Sequence, residues 1–414
     1  MVMEGRPVPV LHFSNSLTRG GAEEHILTLM RGLDRALFRL TLVCAEEVAE
    51  QLHPDMPEDV EVIPLRLRHA AHLAGALALA RILWTRRVNI LHSHLFYSSL
   101  FASPIGRLCQ VPVILETPHC REDWRWRGKA SFTVDQAAGR FVDYYIAVSG
   151  ANARYLIGEK GLPARKVVVI PNGCDLARFD PMQAAPVGLK QSLGFEEDDP
   201  VLLVVGRLEP QKGHGVLIEA LRAVHCEFPR ARVVCLGEGS LQGELERRVG
   251  IRGLRESVRF VGHQSDVADW LAMADLTVLP SYCEGFPVAA IESLAMARPV
   301  VATAVDGTPE VVVDRETGLT VPPGHAGSLA TAICRMLRDP GLRKRLGVAG
   351  RQWVEERFSQ ERQVQETQEF YVGALEECRR LPESPWQTAP EGGRSSLGGA
   401  AIGDSRTCVP KLHA

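Results

Sequence analysis

Glu284 and Glu292 stand eight residues apart in the run Ser281-Tyr282-Cys283-Glu284-Gly285-Phe286-Pro287-Val288-Ala289-Ala290-Ile291-Glu292. The apolar Thr277-Val278-Leu279 ahead of them predicts a buried strand ending at Pro280. Pro287 to Ala297 predicts a helix with Pro287 at its first position, where the missing N–H is no loss. Glu284 then lies in the loop at a strand's carboxyl end. Glu292 lies over one turn into the helix, about 7 Å along its axis at a rise of ~1.5 Å per residue. Between the two carboxylates, the unpaired N–H groups of a helix N-terminus suit a phosphate. A carboxylate, a phosphate site and a second carboxylate in line match a sugar, a diphosphate and a ribose. Taken alone, the pair reads equally well as a loop glutamate and a solvated helix glutamate.

Other residues shift that balance. Val205-Gly206-Arg207-Leu208-Glu209-Pro210-Gln211-Lys212-Gly213 follows an apolar run and leads into a helix from about His214. Gly206 permits a tight turn, and Arg207 and Lys212 bring two cations to the place where a diphosphate would sit. The spacing is neither that of a G-x-G-x-x-G loop nor that of a P-loop. Gly237, in Leu236-Gly237-Glu238-Gly239, allows close backbone approach, and a plain strand–helix turn reads as well there. Val261, in Arg259-Phe260-Val261-Gly262, ends a strand where backbone groups could meet a nucleobase. In the first half, Thr18-Arg19-Gly20-Gly21-Ala22-Glu23 separates a strand from its helix, and Gly20 and Gly21 let backbone N–H groups approach an anion. His119, in Glu116-Thr117-Pro118-His119, ends another strand. A lone histidine is more often structural, but this placement favours function.

The elements that must position these residues alternate. Strands are expected at 8–14, 40–44, 60–65, 90–92, 111–117, 144–148 and 166–170, then at 201–206, 232–236, 258–261, 276–279 and 300–303. Strand–helix alternation of this kind implies parallel, doubly wound sheets. The stretch from Pro171 to Pro200 breaks it, with prolines at 171, 181, 186 and 200, a helical patch near Leu189–Leu193 and an acidic run Glu196–Asp199. The expected class is α/β, with two Rossmann-like domains facing across a cleft. The expected division is 1–180, a linker 181–199, a second domain 200–359, a helix 360–380 and a disordered tail 381–414 rich in Gly, Ser and Pro.

Composition narrows the function. The 414 residues are 45% hydrophobic and 23% charged, ordinary for a globular protein, and the net charge of −3 argues against nucleic acid as a partner. From Arg66 to Arg140 there are eleven Lys/Arg against four Asp/Glu, an excess that could face anionic lipid or substrate. Arg121, Trp124, Arg125, Trp126, Arg127 and Lys129 crowd basic and aromatic residues into one loop, so an anionic membrane surface is a candidate partner. The alternative is that the two tryptophans line a cleft or pack inside. The ten cysteines are dispersed with no C-x-x-C pair, and no His/Asp/Cys group has metal-ligand spacing, so no metal is expected. With no signal peptide or spanning segment visible, a cytoplasmic protein is the expectation, in part peripheral on the inner membrane face.

Together these residues resemble the retaining glycosyltransferases of family four, the group 1 glycosyltransferases with the GT-B fold. The resemblance spans roughly Val8 to Tyr371. Its most specific parts are the Glu284–Glu292 pair and Gly206-Arg207-Leu208 with Lys212-Gly213. Gly20-Gly21-Ala22-Glu23, Thr117-x-His119, Ala147-Val148-Ser149, Pro171-Asn172-Gly173-Cys174-Asp175, Arg298-Pro299-Val300-Val301-Ala302-Thr303, Pro309-Glu310-Val311-Val312 and Thr317-Gly318-Leu319 support it. The resemblance implies that Arg207 and Lys212 hold the donor diphosphate. Glu284 would bind sugar hydroxyls and Glu292 ribose hydroxyls, Gly21 would cap the β-phosphate, and His119 would contact the sugar. Gly285, Phe286 and Pro287 fall within the donor segment. It also implies a nucleotide-diphosphate sugar as co-substrate with no cofactor, a glycan or lipid-linked acceptor, a metal-independent retaining reaction, and a last helix, Gln360–Tyr371, returning to the first domain. Two positions depart from the family pattern. Ala297 stands where a glycine usually ends the helix, and Asp306 replaces the first of a Gly-Gly pair. The competing readings are a nucleotide-sugar epimerase or phosphorylase of like architecture, and a catalytically silent nucleotide-sugar-binding partner.

Overall fold

The computed structural model describes residues 6–14, 20–46, 49, 56–66, 73–121 and 132–380. The loop tryptophans and basic residues at 124–129 and the tail from 381 lie outside them.

Seven parallel strands form the first sheet: β1 (Val8–Ser14), β2 (Phe38–Cys44), β3 (Glu61–Pro64), β4 (Ile90–His94), β5 (Val113–Thr117), β6 (Tyr144–Ala147) and β7 (Val167–Val169), in the order β3-β2-β1-β4-β5-β6-β7. Six more form the second: β8 (Val201–Val205), β9 (Arg232–Leu236), β10 (Val258–Phe260), β11 (Leu276–Leu279), β12 (Val300–Thr303) and β13 (Gly318–Val321), in the order β10-β9-β8-β11-β12-β13. Both orders reverse direction beside the first strand, at β1/β4 and at β8/β11. Ligands of doubly wound sheets bind at such switch points, outside the carboxyl ends of the strands. The runs Val-Leu-Leu-Val of β8 and Leu-Thr-Val-Leu of β11 are buried throughout, because helices cover both faces of a parallel sheet.

Every expected strand is present, with ends shifted by one or two residues. The sequence reading missed β13, whose Gly318 and Thr320 dilute its apolar character. The helix after Glu284 runs Val288–Ala295, and Pro287 is its N-cap, not its first residue. At its far end Ala297 takes φ 52°, the left-handed conformation a glycine would adopt more cheaply. Asp306 likewise takes φ 40°. Both departures from the family pattern therefore keep the glycine backbone.

Four helices matter for the site: α1 (Gly21–Gly32), α2 (His214–Glu227), α3 (Val288–Ala295) and α4 (Gln360–Arg380). As expected, α4 leaves the second sheet's layer and docks on the first. Tyr371, Ala374 and Leu375 join the core formed by Ile26, Leu29, Leu42 and Ile90. Tyr371 is fully buried there, edge-on to Phe38 with centroids 5.8 Å apart.

The basic excess between Arg66 and Arg140 is smaller in space than in sequence. Arg66, Arg86, Arg107 and Arg121 pair with Glu46, Glu61, Asp143 and Glu159, all outside that window. Arg121, assigned above to a membrane-facing loop, also lies over the Tyr155 ring at 4.6 Å. The described cysteines are free thiols, and no described helix is long and apolar enough to cross a membrane.

Candidate functional site

The carboxyl ends of β8 and β11 carry the two principal loops, and the backbone ties them together. Tyr282 N–H donates to Gln211 O at 2.7 Å. Gly213, at φ 66°, passes so close that a Cβ there would sit 2.0 Å from Pro280 O. The cation loop and the glutamate loop are therefore one unit. Lys212 stretches past Gly206 and donates to Glu284 Oε1 at 2.7 Å, and Ser281 Oγ donates to the same oxygen at 2.7 Å. Glu284 is buried, while the Lys212 side chain keeps 22% of its surface. Arg207, half-buried, follows Gly206 directly at the end of β8.

Asp306 is a site residue that sequence reasoning had only as a departure from the pattern. Its Oδ2 accepts from Glu284 N–H at 3.0 Å, and Gly307 N–H donates to Glu284 O at 3.3 Å. The residue that replaces a glycine thus holds the glutamate's backbone.

Glu292 projects from the second turn of α3. Burial pushes its carboxyl up to about 8, the Glu24 carboxylate on α1 adds to the rise, and Arg178 opposes it. Glu24 belongs to the first sheet's domain, so Glu292 feels the facing domain directly. Gly21, the first residue of α1, meets the second domain: a Cβ on it would lie 3.3 Å from Val288 Cγ2. Gly20 and Gly21 remain exposed.

Other candidates are taken up by the fold. Phe286 is a core residue, its ring 5.3 Å from that of Phe358. Gly237 N–H donates to Gly262 O at 2.8 Å. Val261 N–H donates to Cys235 O at 3.1 Å, and Val261 O accepts from Gln264 Nε2 at 2.8 Å. The polar groups of Val261 are therefore already paired within the second domain.

Across the interface, Ser149 Oγ donates to Gly285 O at 2.9 Å, and Glu310 accepts from the N–H groups of Gly150 and Ala151 at 2.9 and 2.7 Å. A Cβ on Gly285 would lie 1.9 Å from the His119 carbonyl oxygen, so only glycine lets the two loops meet. His119 is consequently a neighbour of Glu284's loop.

His119 is not a lone histidine. His12, His25, His92, His94 and His119 gather at the carboxyl ends of β1, β4 and β5, all buried. Two groups, His12/His92/His94 and His25/His94/His119, each bring three ring nitrogens within 4.8 Å of one another. The sequence shows no such group by spacing; the fold brings the two together from β1, α1, β4 and the end of β5. Burial keeps all five imidazoles neutral, pushing His12 to about 3 and His25 to about 4, and His92, His94 and His119 well below the ordinary histidine value. The signal in the sequence was His92-x-His94, which the two-residue strand period puts on one face.

The comparisons agree with the geometry. The profile described as "Glycosyl transferases group 1" matches residues 189–353, and "Glycosyltransferase Family 4" matches residues 19–178. D-inositol 3-phosphate glycosyltransferase of Kineococcus radiotolerans is 30% identical over 373 residues, 83% of this chain and 84% of that one. Alpha-maltose-1-phosphate synthase of Mycolicibacterium smegmatis is 29% identical over 383 residues, 85% of this chain and 95% of that one. Among solved structures, Anabaena Alr3699/HepE in complex with UDP-glucose superposes with a TM-score of 0.78 at 21% identity, covering 88% of this chain and 99% of that one. Two Rossmann-like domains, joined loops bearing Arg207, Lys212 and Glu284, and these matches lead to one conclusion: the chain belongs to the group 1 glycosyltransferases of the family 4 type, with the GT-B fold.

Proposed function

We propose that this glycosyltransferase moves a sugar from a nucleotide-diphosphate donor to a glycan or lipid-linked acceptor of the cell surface, with retention of configuration and without a metal. The bond from the anomeric carbon to the diphosphate breaks, and a bond to the acceptor hydroxyl oxygen forms. The acceptor's proton leaves with the diphosphate. Arg207 and Lys212 neutralise the charge that builds on the leaving group. Glu284 takes sugar hydroxyls, Glu292 the ribose, Gly21 the β-phosphate, and His119 the sugar from the facing domain.

The observation that carries this reading is the contact of Lys212 with Glu284, made where Tyr282 and Gln211 tie their loops together. Its place at a switch point of the sheet supports reading the lysine as a cation for phosphate and the carboxylate as an acceptor from hydroxyls. The UDP-glucose bound to HepE supports a nucleotide sugar as donor. The names of the inositol-phosphate and maltose-phosphate relatives support a hydroxyl-bearing acceptor. On this reading the seven-stranded domain receives the acceptor, on the inner side of the cytoplasmic membrane.

A thermal-shift screen across UDP-, GDP- and ADP-sugars tests it, because a ligand of the folded state raises apparent stability by mass action. The matching donor, radiolabelled, should then transfer its label to an acceptor hydroxyl. No stabilisation by any nucleotide sugar, or release of an isomerised donor in place of a glycoside, would sink the proposal.

A further inference from the structure

The histidines beside His119 are joined in a single file. Thr117 Oγ1 lies 2.7 Å from His92 Nε2, and His92 Nδ1 lies 2.5 Å from the Tyr371 hydroxyl. That hydroxyl lies 3.4 Å from His12 Nε2, His12 Nδ1 lies 2.9 Å from His94 Nε2, and His94 Nδ1 lies 3.3 Å from His119 Nε2. The file ends at His119 Nδ1, which is buried and has no protein partner.

Strand geometry builds it. His12 of β1 and His92 of β4 are register partners, as are His94 and Thr117 across β4 and β5. Residues two apart on a strand share a face, so His92 and His94 line up, and Tyr371 of α4 closes the gap between His92 and His12.

A neutral imidazole has one N–H and one bare nitrogen, so each ring can donate at one end of the file and accept at the other. Fixing one ring fixes all. With the file running one way, every one of the four histidines carries its proton on Nδ1; running the other way, every one carries it on Nε2. The 2.5 Å spacing suits a phenol O–H donating to imidazole better than an imidazole N–H donating to phenol, since O–H donors make the shorter bonds. Tyr371 then donates to His92 Nδ1, and the protons of all four rings sit on Nε2. His119 Nδ1 is left with a lone pair.

We propose that His92, Tyr371, His12 and His94 are positioning residues for His119, a hydrogen-bonded relay that holds its Nδ1 as an acceptor for a hydroxyl of the bound sugar. The proposal rests on the reading that His119 meets the sugar. Burial of the rings, and of Tyr371, whose ionisation burial also suppresses, keeps the whole file uncharged, as the relay requires. It also makes the crossing helix part of the site: a hydroxyl on α4 decides which way a ring at the end of β5 faces its ligand.

Long-range proton–nitrogen NMR of the full chain labelled with 15N-histidine tests this without reference to activity, because it reads which nitrogen of each ring carries the proton. The expected result is Nε2–H on His12, His92, His94 and His119 alike. Mixed tautomers, or Nδ1–H throughout, would overturn the relay. So would a stoichiometric zinc ion in the purified protein, held by either group of three histidines in place of these hydrogen bonds. Tyr371→Phe keeps the ring and removes only the link. It should disturb the tautomer of His12, His94 or His119 and lower kcat/KM about tenfold, the worth of one buried hydrogen bond. In a His119→Ala background the same change should cost nothing more; additive losses would overturn the relay. If the tautomers are uniform but His119→Ala transfers sugar at the wild-type rate, the relay stands and the sugar contact fails.

Discussion

Lys212 Nζ lies 2.7 Å from Glu284 Oε1, a contact between residues 72 positions apart that closes the cation loop onto the glutamate loop. Glu284 is buried, and Lys212 and Ser281 satisfy the same oxygen. Without a ligand the lysine therefore compensates a carboxylate that burial would otherwise penalise. On the proposed reading, a diphosphate entering the site would compete for that lysine, and a sugar hydroxyl would donate to the carboxylate in its place. Donor binding would thus exchange one ion pair for two ligand contacts, with Arg207 as a second cation for the diphosphate's added negative charge.

Alanine at Arg207 or at Lys212 should lower kcat far more than it lowers stability. Loss of one preorganised electrostatic contact to a developing charge typically costs on the order of 10²–10³ in rate. Steady-state kinetics beside urea melts check this. An Arg207→Ala/Lys212→Ala double variant within a few-fold of wild type would remove both from the mechanism.

Glu292 predicts a pH-dependent stability. Its carboxyl titrates near 8 in the fold against an ordinary 4.5, so between those values the folded state binds more protons than the unfolded. Glu292's own contribution to stability then falls as pH rises through that window and levels off above about 8, while the five buried histidines, whose pKa values are lowered, contribute a rise up to their ordinary 6.5. Glu292→Gln should lack this fall, so that wild type loses stability relative to the variant as pH rises from 4.5 to 8. Glu24→Gln should reduce it, since Glu24 is the second cause of the shift. Melts across pH that are parallel for wild type and Glu292→Gln would contradict the assignment.

Membrane contact should show as salt-sensitive co-sedimentation with anionic liposomes. On the helix Leu73–Thr85, Leu73, Leu77 and Trp84 share one face and are 72%, 64% and 77% exposed, and Arg81 and Arg87 lie on or beside that helix. Aromatic and aliphatic groups enter the headgroup region, and each basic residue near anionic lipid adds about 1 kcal/mol. Equal sedimentation with neutral and anionic vesicles, or none with either, would count against the membrane surface.

Transfer should continue in EDTA, since Arg207 and Lys212 can do the electrostatic work for which other transferases use a divalent ion. The two histidine groups make this a sharper test than the sequence alone allowed. Activity lost to chelation and restored by Mg²⁺ or Mn²⁺ would overturn the metal-free reading, and restoration by zinc alone would point to the histidines.

Much of this was legible in the chain because local pattern and global fold agree. Val201–Val205 is a run of five apolar residues that only a doubly covered parallel strand can use, and Glu284 and Lys212 follow their strands at once in sequence. What escaped was assembled over distance. His12 and His92 meet only through the β1–β4 pairing, and Tyr371, 359 and 279 positions away from them, joins them only when α4 crosses back. Asp306 drew notice as a missing glycine, although its side chain holds Glu284. Arg121 counted as a loose cation because Glu159 and Tyr155, its partners, lie far along the chain.

The stereochemical outcome follows from which groups could reach the anomeric carbon. An inverting enzyme needs a base to take the acceptor's proton as it attacks from the far face. Here that base would be His119, yet burial holds its pKa well below the ordinary value, which makes it a poor proton acceptor at neutral pH. A double displacement needs a carboxylate nucleophile beneath the sugar. Glu284 is the motif carboxylate proposed to meet the sugar, but Lys212 and Ser281 both bond to its Oε1 and Asp306 fixes its backbone, which favours a binding role over a nucleophilic one. Same-face attack, with the departing diphosphate as the base, is what the family resemblance implies and what we propose. An α-linked nucleotide sugar should therefore give an α-linked product, and no glycosyl adduct should form on Glu284. The anomeric proton coupling of the product, read by NMR, decides: a β-linkage from an α-donor would refute retention, and a mass increment of one sugar on the Glu284 peptide would replace same-face attack with a double displacement.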